Sequence, residues 1–231
     1  MLNDLYKPDR VRLTTMIIGA PGSGKSEFTR QTLKEFLKRN SDEWLRIVYC
    51  CPKWEMDLGE KTLVPMHKLE SHLAKNRLAV VYPNPEDTEN DVDWLIMHLF
   101  DIKEANPEFK CVFICDDAQI FLSSAKQPSQ MWKRLTLTGR SKDIRLVAIS
   151  HGFVFSKQLE GSTSFIVQFR GLSSKLHNRD ALIRYGYDPE PYVTSLADVP
   201  YSHVFYDVTK GKSTLMKPLE LKGAAQASPS A

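Results

Sequence analysis

The chain has 231 residues, of which 42% are hydrophobic and 26% charged, with a net charge of +3. That apolar content excludes a disordered polypeptide, and the near-neutral balance names no partner by itself. No run of 18 apolar residues is present, so the sequence predicts no membrane-spanning helix; the start, Met1-Leu2-Asn3-Asp4, lacks the basic-then-apolar layout of a signal peptide, and export is not expected.

Punctuation and periodicity give the elements in order. Residues 12–19 are β-branched and apolar and stop at glycine, which predicts a buried strand. The eight positions that start at this glycine, Gly19-Ala20-Pro21-Gly22-Ser23-Gly24-Lys25-Ser26, satisfy G-x-x-x-x-G-K-S between that strand and a helix predicted over 25–38. The spacing has a physical basis. Glycines let the backbone curl so that its N–H groups face phosphate oxygens, and the following helix contributes positive potential at its N-terminus. Lys25 is expected to reach the β- and γ-phosphates, and the Ser26 hydroxyl to ligate Mg²⁺.

Further strands are predicted at 46–51, 78–82, 111–115 and 145–150, with edge strands at 165–169 and 203–208. Helices are predicted at 66–73, 91–105, 130–137 and 173–184. Near-continuous apolar strands alternating with amphipathic helices predict a mostly parallel sheet covered on both faces, a three-layer α/β fold. One domain is expected over 1–222, followed by a disordered tail at 223–231. Cys50, Cys51, Cys111 and Cys115 all fall in strand-like runs without metal-site spacing and are expected to be buried thiols.

The strand at 111–115 ends in Asp116-Asp117. Two carboxylates at a strand tip are costly unless a cation and water are present. Asp116 is therefore the expected Mg²⁺ ligand, and Asp117 the group that orients or deprotonates the attacking water. At the tip of the next strand, Ser150 and His151 are candidate sensors of hydrolysis. Upstream of that strand, Arg140 in Thr138-Gly139-Arg140-Ser141-Lys142 is the first candidate for a cation reaching a neighbouring subunit's triphosphate. Arg134 is second, and Arg145 is expected to be held at the strand start. Together these parts supply a phosphate cradle, a metal, a carboxylate and charge relief, but no covalent nucleophile. That combination fits direct attack by water on the γ-phosphoryl group.

Charge is also polarised along the chain: residues 42–108 carry 14 acidic and 7 basic side chains, whereas residues 126–184 carry 3 acidic and 11 basic. The second block offers a surface for phosphates.

Three segments, GAPGSGKS at 19–26, VFICDDAQIF at 112–121 and TGRSKDIRLVAISHG at 138–152, together resemble the FtsK–HerA class of P-loop ATPases. Within it they resemble the genome-packaging ATPases of tailless or membrane-containing double-jelly-roll viruses. The resemblance implies a RecA-like core acting as an oligomeric ring, often a hexamer. It also implies ATP as nucleotide with Mg²⁺, and translocation of double-stranded DNA into a preformed capsid in the host cytoplasm, with capsid or portal-vertex proteins as partners. Gly19 to Ser26 match the phosphate-binding positions, Asp116 the metal position, Asp117 the catalytic carboxylate (commonly Glu) and Arg140 the arginine before the next strand. Ser141 stands where relatives often carry His, and His151 where many carry Gln. Lys126, Lys133, Lys142 and Lys175 are candidate contacts to the DNA backbone, without base readout. The alternatives are an ATPase for filamentous virion assembly or another DNA translocase, a small-molecule kinase, and a nucleotide-dependent switch.

Overall fold

The structure is a computed structural model that describes residues 2–8, 14–52, 58, 62–122, 127–152, 161–171, 180 and 182–218. Eight strands form one sheet, β1 (Thr14–Ile18), β2 (Leu45–Cys50), β3 (Leu78–Val81), β4 (Lys110–Cys115), β5 (Ile144–Ser150), β6 (Thr163–Gln168), β7 (His203–Asp207) and β8 (Lys212–Met216). Their spatial order is β3-β2-β4-β5-β1-β6-β7-β8. The pairs from β3 through β6 are all parallel, and β7 and β8 are antiparallel additions.

Helices among the described residues include α1 (Leu2–Tyr6), α2 (Lys25–Arg39), α3 (Leu69–Leu73), α4 (Thr88–Ala105), α5 (Gln119–Leu122), α6 (Gln130–Thr138) and α7 (Val193–Asp198). Strand alternation sorts the core into two layers. On one face Ile17, Ile47, Val112, Val147 and Ile149 meet Leu5 and Tyr6 of α1 and Phe28, Leu33 and Phe36 of α2. On the other, Met16, Val48, Phe113, Leu146 and Ala148 meet Leu95, Ile96 and Leu99 of α4 and Trp132 and Leu135 of α6. Each fully buried side chain of this size contributes about 2 kcal/mol of transfer free energy, which is why the central strands read as unbroken apolar runs. The expected three-layer arrangement is the one found, and all four cysteines are buried thiols.

The sequence expectations need two corrections. The strand expected at 165–169 is not an edge: as β6 it pairs in parallel with β1 and lies inside the sheet. Nor is the strand expected at 203–208 an edge: as β7 it lies between β6 and β8, and the edge is β8, whose mostly polar, exposed sequence gave no strand signal. The helix expected at 173–184, the tail at 223–231, and Lys126 and Lys175 fall wholly or largely outside the described residues. Among the described residues no helix is long and apolar enough to cross a membrane.

The order of strands fixes what can meet at the sheet's C-terminal edge. β5 is inserted between β1 and β4, so the end of β1 does not adjoin the end of β4; the tip of β5 separates them. Backbone hydrogen bonds stitch these tips together. Gly19 N–H donates to the Ser150 carbonyl, Ala118 N–H to Ile149 and Ala20 N–H to Arg170.

Candidate nucleotide-binding site

The loop after β1 turns into α2 through two glycines at positive φ, Gly22 at 68° and Gly24 at 99°. Gly24 is the N-cap and provides no side chain to satisfy the first N–H groups of α2. Those donors are left for a ligand, and a phosphate is the group such a terminus suits. The fit extends to side chains. The Ser23 hydroxyl is buried without a hydrogen-bond partner, and a Cβ at Gly19 would lie 2.7 Å from that oxygen and 2.6 Å from Phe169 Cβ. A loop this tight, holding an unsatisfied donor, is shaped for oxygen-rich ligands.

Lys25 is buried at the start of α2. Its ammonium donates to the carbonyls of Gly19 (2.8 Å) and Ala20 (2.9 Å) and to Nδ1 of His151 (3.2 Å). On the other side of the imidazole, His151 Nε2 lies 3.0 Å from Oδ1 of Asp117. An Nδ1 that accepts from an ammonium carries no proton, so this network assigns the proton to Nε2, which donates to Asp117. Lysine, histidine and aspartate thus form a continuous chain from the phosphate loop across the tip of β5 to the tip of β4.

Asp117 is almost fully buried and has φ 50°, a conformation Asp tolerates better than most residues. Gln119 Nε2 also donates to its Oδ1, at 2.9 Å. Asp116 accepts from Tyr49 OH (2.9 Å) and from the Asp117 N–H (3.0 Å). Burial pushes the Asp116 carboxyl above its ordinary range; the Tyr49 bond opposes that, the Asp117 charge adds to it and Lys25 partly offsets it. Two neighbouring carboxylates at a strand tip are the kind of oxygen donors that a divalent cation takes. Ser26 is exposed in the first turn of α2. Among the described residues no group of three or more His, Cys, Asp or Glu side chains gathers as a metal cage.

Of the sequence-predicted residues, Gly19 to Ser26, Asp116, Asp117 and His151 converge at this edge. Ser150 reaches it only as a scaffold: its hydroxyl donates to the Gly152 carbonyl (2.8 Å) and accepts from the Gly152 N–H, closing the turn that presents His151. Arg140 does not converge. It is exposed in the 3-10 turn before β5, at the opposite end of that strand. Arg134 is paired with Glu104 at 2.9 Å and lies over the Phe100 ring. Arg145 is buried and donates to the carbonyls of Asp4 and Lys7 and to Thr15 Oγ1, which locks α1 onto the sheet. Tyr49 and Gln119 were not singled out in the sequence. Only the β2–β4 register brings Tyr49 to Asp116.

His203 begins β7 beneath the loop, with its ring against Phe28 (4.6 Å) and Phe169 (5.2 Å). Burial pushes its pKa down to about 4, with the Tyr201 backbone opposing. The unfolded chain takes up that proton near pH 6.5 while the folded one resists, so stability is complete above about pH 6.5 and falls between there and about pH 4. Urea titrations at about pH 7.5 and pH 5 are expected to differ by about 2 kcal/mol from this group, and His203→Phe should remove that part of the slope.

No protein-family model matches the chain, and no curated protein sequence matches it. Solved structures do. The genome-packaging NTPase B204 of Sulfolobus turreted icosahedral virus 2 in complex with ATPγS superposes with a TM-score of 0.67 at 14% identity, covering 90% of this chain and 97% of that one. Its complex with AMP gives 0.68 at 14% identity, covering 90% and 98%. The cytoplasmic domain of the Thermomonospora curvata type VII secretion ATPase EccC gives 0.62 at 17% identity, over 92% of this chain but 26% of that one. These likenesses, together with the strand order, establish the chain's architecture as the RecA-like P-loop NTPase fold implied by its resemblance to the FtsK–HerA class.

Proposed function

We propose that this chain is a Mg²⁺-dependent ATPase motor that acts on double-stranded DNA, and that its task is to drive a viral genome into a preformed capsid. The observation that carries the reading is the Lys25–His151–Asp117 chain, which links the phosphate loop to the acidic strand tip in one protomer. ATP as the nucleotide is supported by the ATPγS and AMP held by the B204 structures.

In this mechanism the N–H groups at the start of α2 and the Ser23 hydroxyl take the phosphate oxygens, and Lys25 turns from its loop carbonyls to the β- and γ-phosphates. Ser26 and Asp116 are the residues that would hold Mg²⁺, which would supply positive charge against the phosphates. Asp117 orients the attacking water and accepts its proton. His151 is then released from Lys25 and reports occupancy of the γ-position through its bond to Asp117.

The motor works as an oligomeric ring docked on capsid or portal-vertex proteins in the host cytoplasm. Lys133 and Lys142, which flank Arg140 in sequence, contribute to tracking of DNA phosphates.

ATPase turnover measured with and without duplex DNA, at several salt concentrations and with oligomeric mass determined in the same samples, tests the reading. Turnover should require Mg²⁺ and rise with duplex DNA, and the DNA effect should fade steeply as salt increases because each backbone contact releases counterions. Hydrolysis indifferent to DNA at all salt concentrations overturns the motor. Transfer of phosphate to a small acceptor identifies a kinase instead.

A further inference from the structure

We propose that Tyr201 is the platform on which the nucleobase of the bound nucleotide stacks. The inference rests on the nucleotide-site reading above and adds what holds the base.

The direction of the nucleotide follows from the sheet. Lys25, His151 and Asp117 mark the γ-phosphate end, and the last two sit on the tips of β5 and β4, to one side of β1. The nucleoside must leave the loop on the other side, over β6 and β7. Because β7 runs antiparallel to β6, with Gln168 opposite Val204, its first residue lies at the same edge as the phosphate loop. Tyr201 stands two positions before β7, and its ring leans on the loop: a Cβ placed on Gly24 would be 2.5 Å from Tyr201 Cδ1. Gly24 is thus needed both for its φ of 99° and to admit this ring.

Three features distinguish Tyr201 from an incidental surface aromatic. It is 55% exposed although one edge is packed on the loop, so much of the ring is left uncovered. Its φ is 63°, rare for a bulky residue and a conformation kept only where surrounding structure enforces it. The enforcement is visible. The Ser202 N–H and hydroxyl both donate to the Val199 carbonyl, at 3.1 and 2.7 Å, and His203 is packed against Phe28 and Phe169. A ring held in advance binds a base with little loss of freedom. Since a stacking platform reads aromatic area rather than hydrogen-bonding edges, it favours purine over pyrimidine nucleotides without choosing sharply between ATP and GTP.

Calorimetric titration of ATP and of inorganic tripolyphosphate, each with Mg²⁺, into the native chain, Tyr201→Ala and Tyr201→Phe tests the assignment. Tyr201→Ala should weaken ATP binding about tenfold while tripolyphosphate binding stays within about twofold, and Tyr201→Phe should keep both. Native-like ATP affinity in Tyr201→Ala overturns the proposal. An equal loss for ATP and tripolyphosphate also overturns it, since Tyr201 then merely braces the loop. Failure of the native chain to bind either ligand instead removes the nucleotide site on which the proposal stands.

Discussion

Lys25→Ala should abolish turnover, by about a thousandfold or more, and weaken triphosphate binding with it. The side chain sits where its charge is felt at both ends of the site: it donates into its own loop at Gly19 and Ala20, contacts His151, and acts electrostatically on Asp116. Asp117→Asn should behave differently. The amide oxygen can still accept from Gln119 and His151, and Asn tolerates the φ of 50° at this position. The negative charge and the proton-accepting capacity are lost. Hydrolysis should therefore fall by about 10²–10⁴-fold while ATP binding is retained within a few-fold. Equilibrium binding of a non-hydrolysable analogue alongside steady-state turnover separates the two variants. Equal loss of affinity in both would contradict the division of roles.

Both motifs were legible in the sequence because each is local. A glycine-rich run between strand and helix, and two carboxylates ending an apolar strand, carry their chemistry in a few consecutive residues. What brings them together is not local. Only the strand order shows that β5 lies between the two, so that His151 is the residue that bridges Lys25 and Asp117. Tyr49 belongs to the site for the same reason, through its register on β2 beside β4.

The C-terminal part was read least well. β8 is an exposed edge with Lys212, Thr214 and Leu215 facing solvent, so it has neither the apolar run of a central strand nor the clean alternation of a half-buried one. α7 is six residues long, too short to show a helical period. Tyr201 and His203 were indistinguishable from ordinary surface and core residues until the antiparallel return of β7 placed Tyr201 against Gly24 and His203 against Phe28 and Phe169.

Arg140→Ala should leave ATP binding close to native yet reduce turnover by about 10³-fold or more in the assembled oligomer. Distance removes Arg140 from the site of its own protomer. β5 has seven residues and so spans about 20 Å. Arg140 lies before its start, whereas the phosphate loop and His151 lie at its far end. No side chain covers that distance within a protomer. Among the described residues, Arg140 has no ion pair or hydrogen bond through its guanidinium, in contrast to the paired Arg134 and the buried Arg145. An exposed cation at the edge opposite the site can serve a site only on a neighbour. Mixing provides the decisive measurement. Lys25→Ala lacks a working loop but keeps Arg140, and Arg140→Ala keeps the loop but lacks the arginine. Each alone should be inactive, and co-assembled oligomers should regain activity at those interfaces where an intact loop faces an intact Arg140. If mixed oligomers, verified by mass, show no recovery, the arginine does not act across the interface and its role at the hydrolytic site is lost.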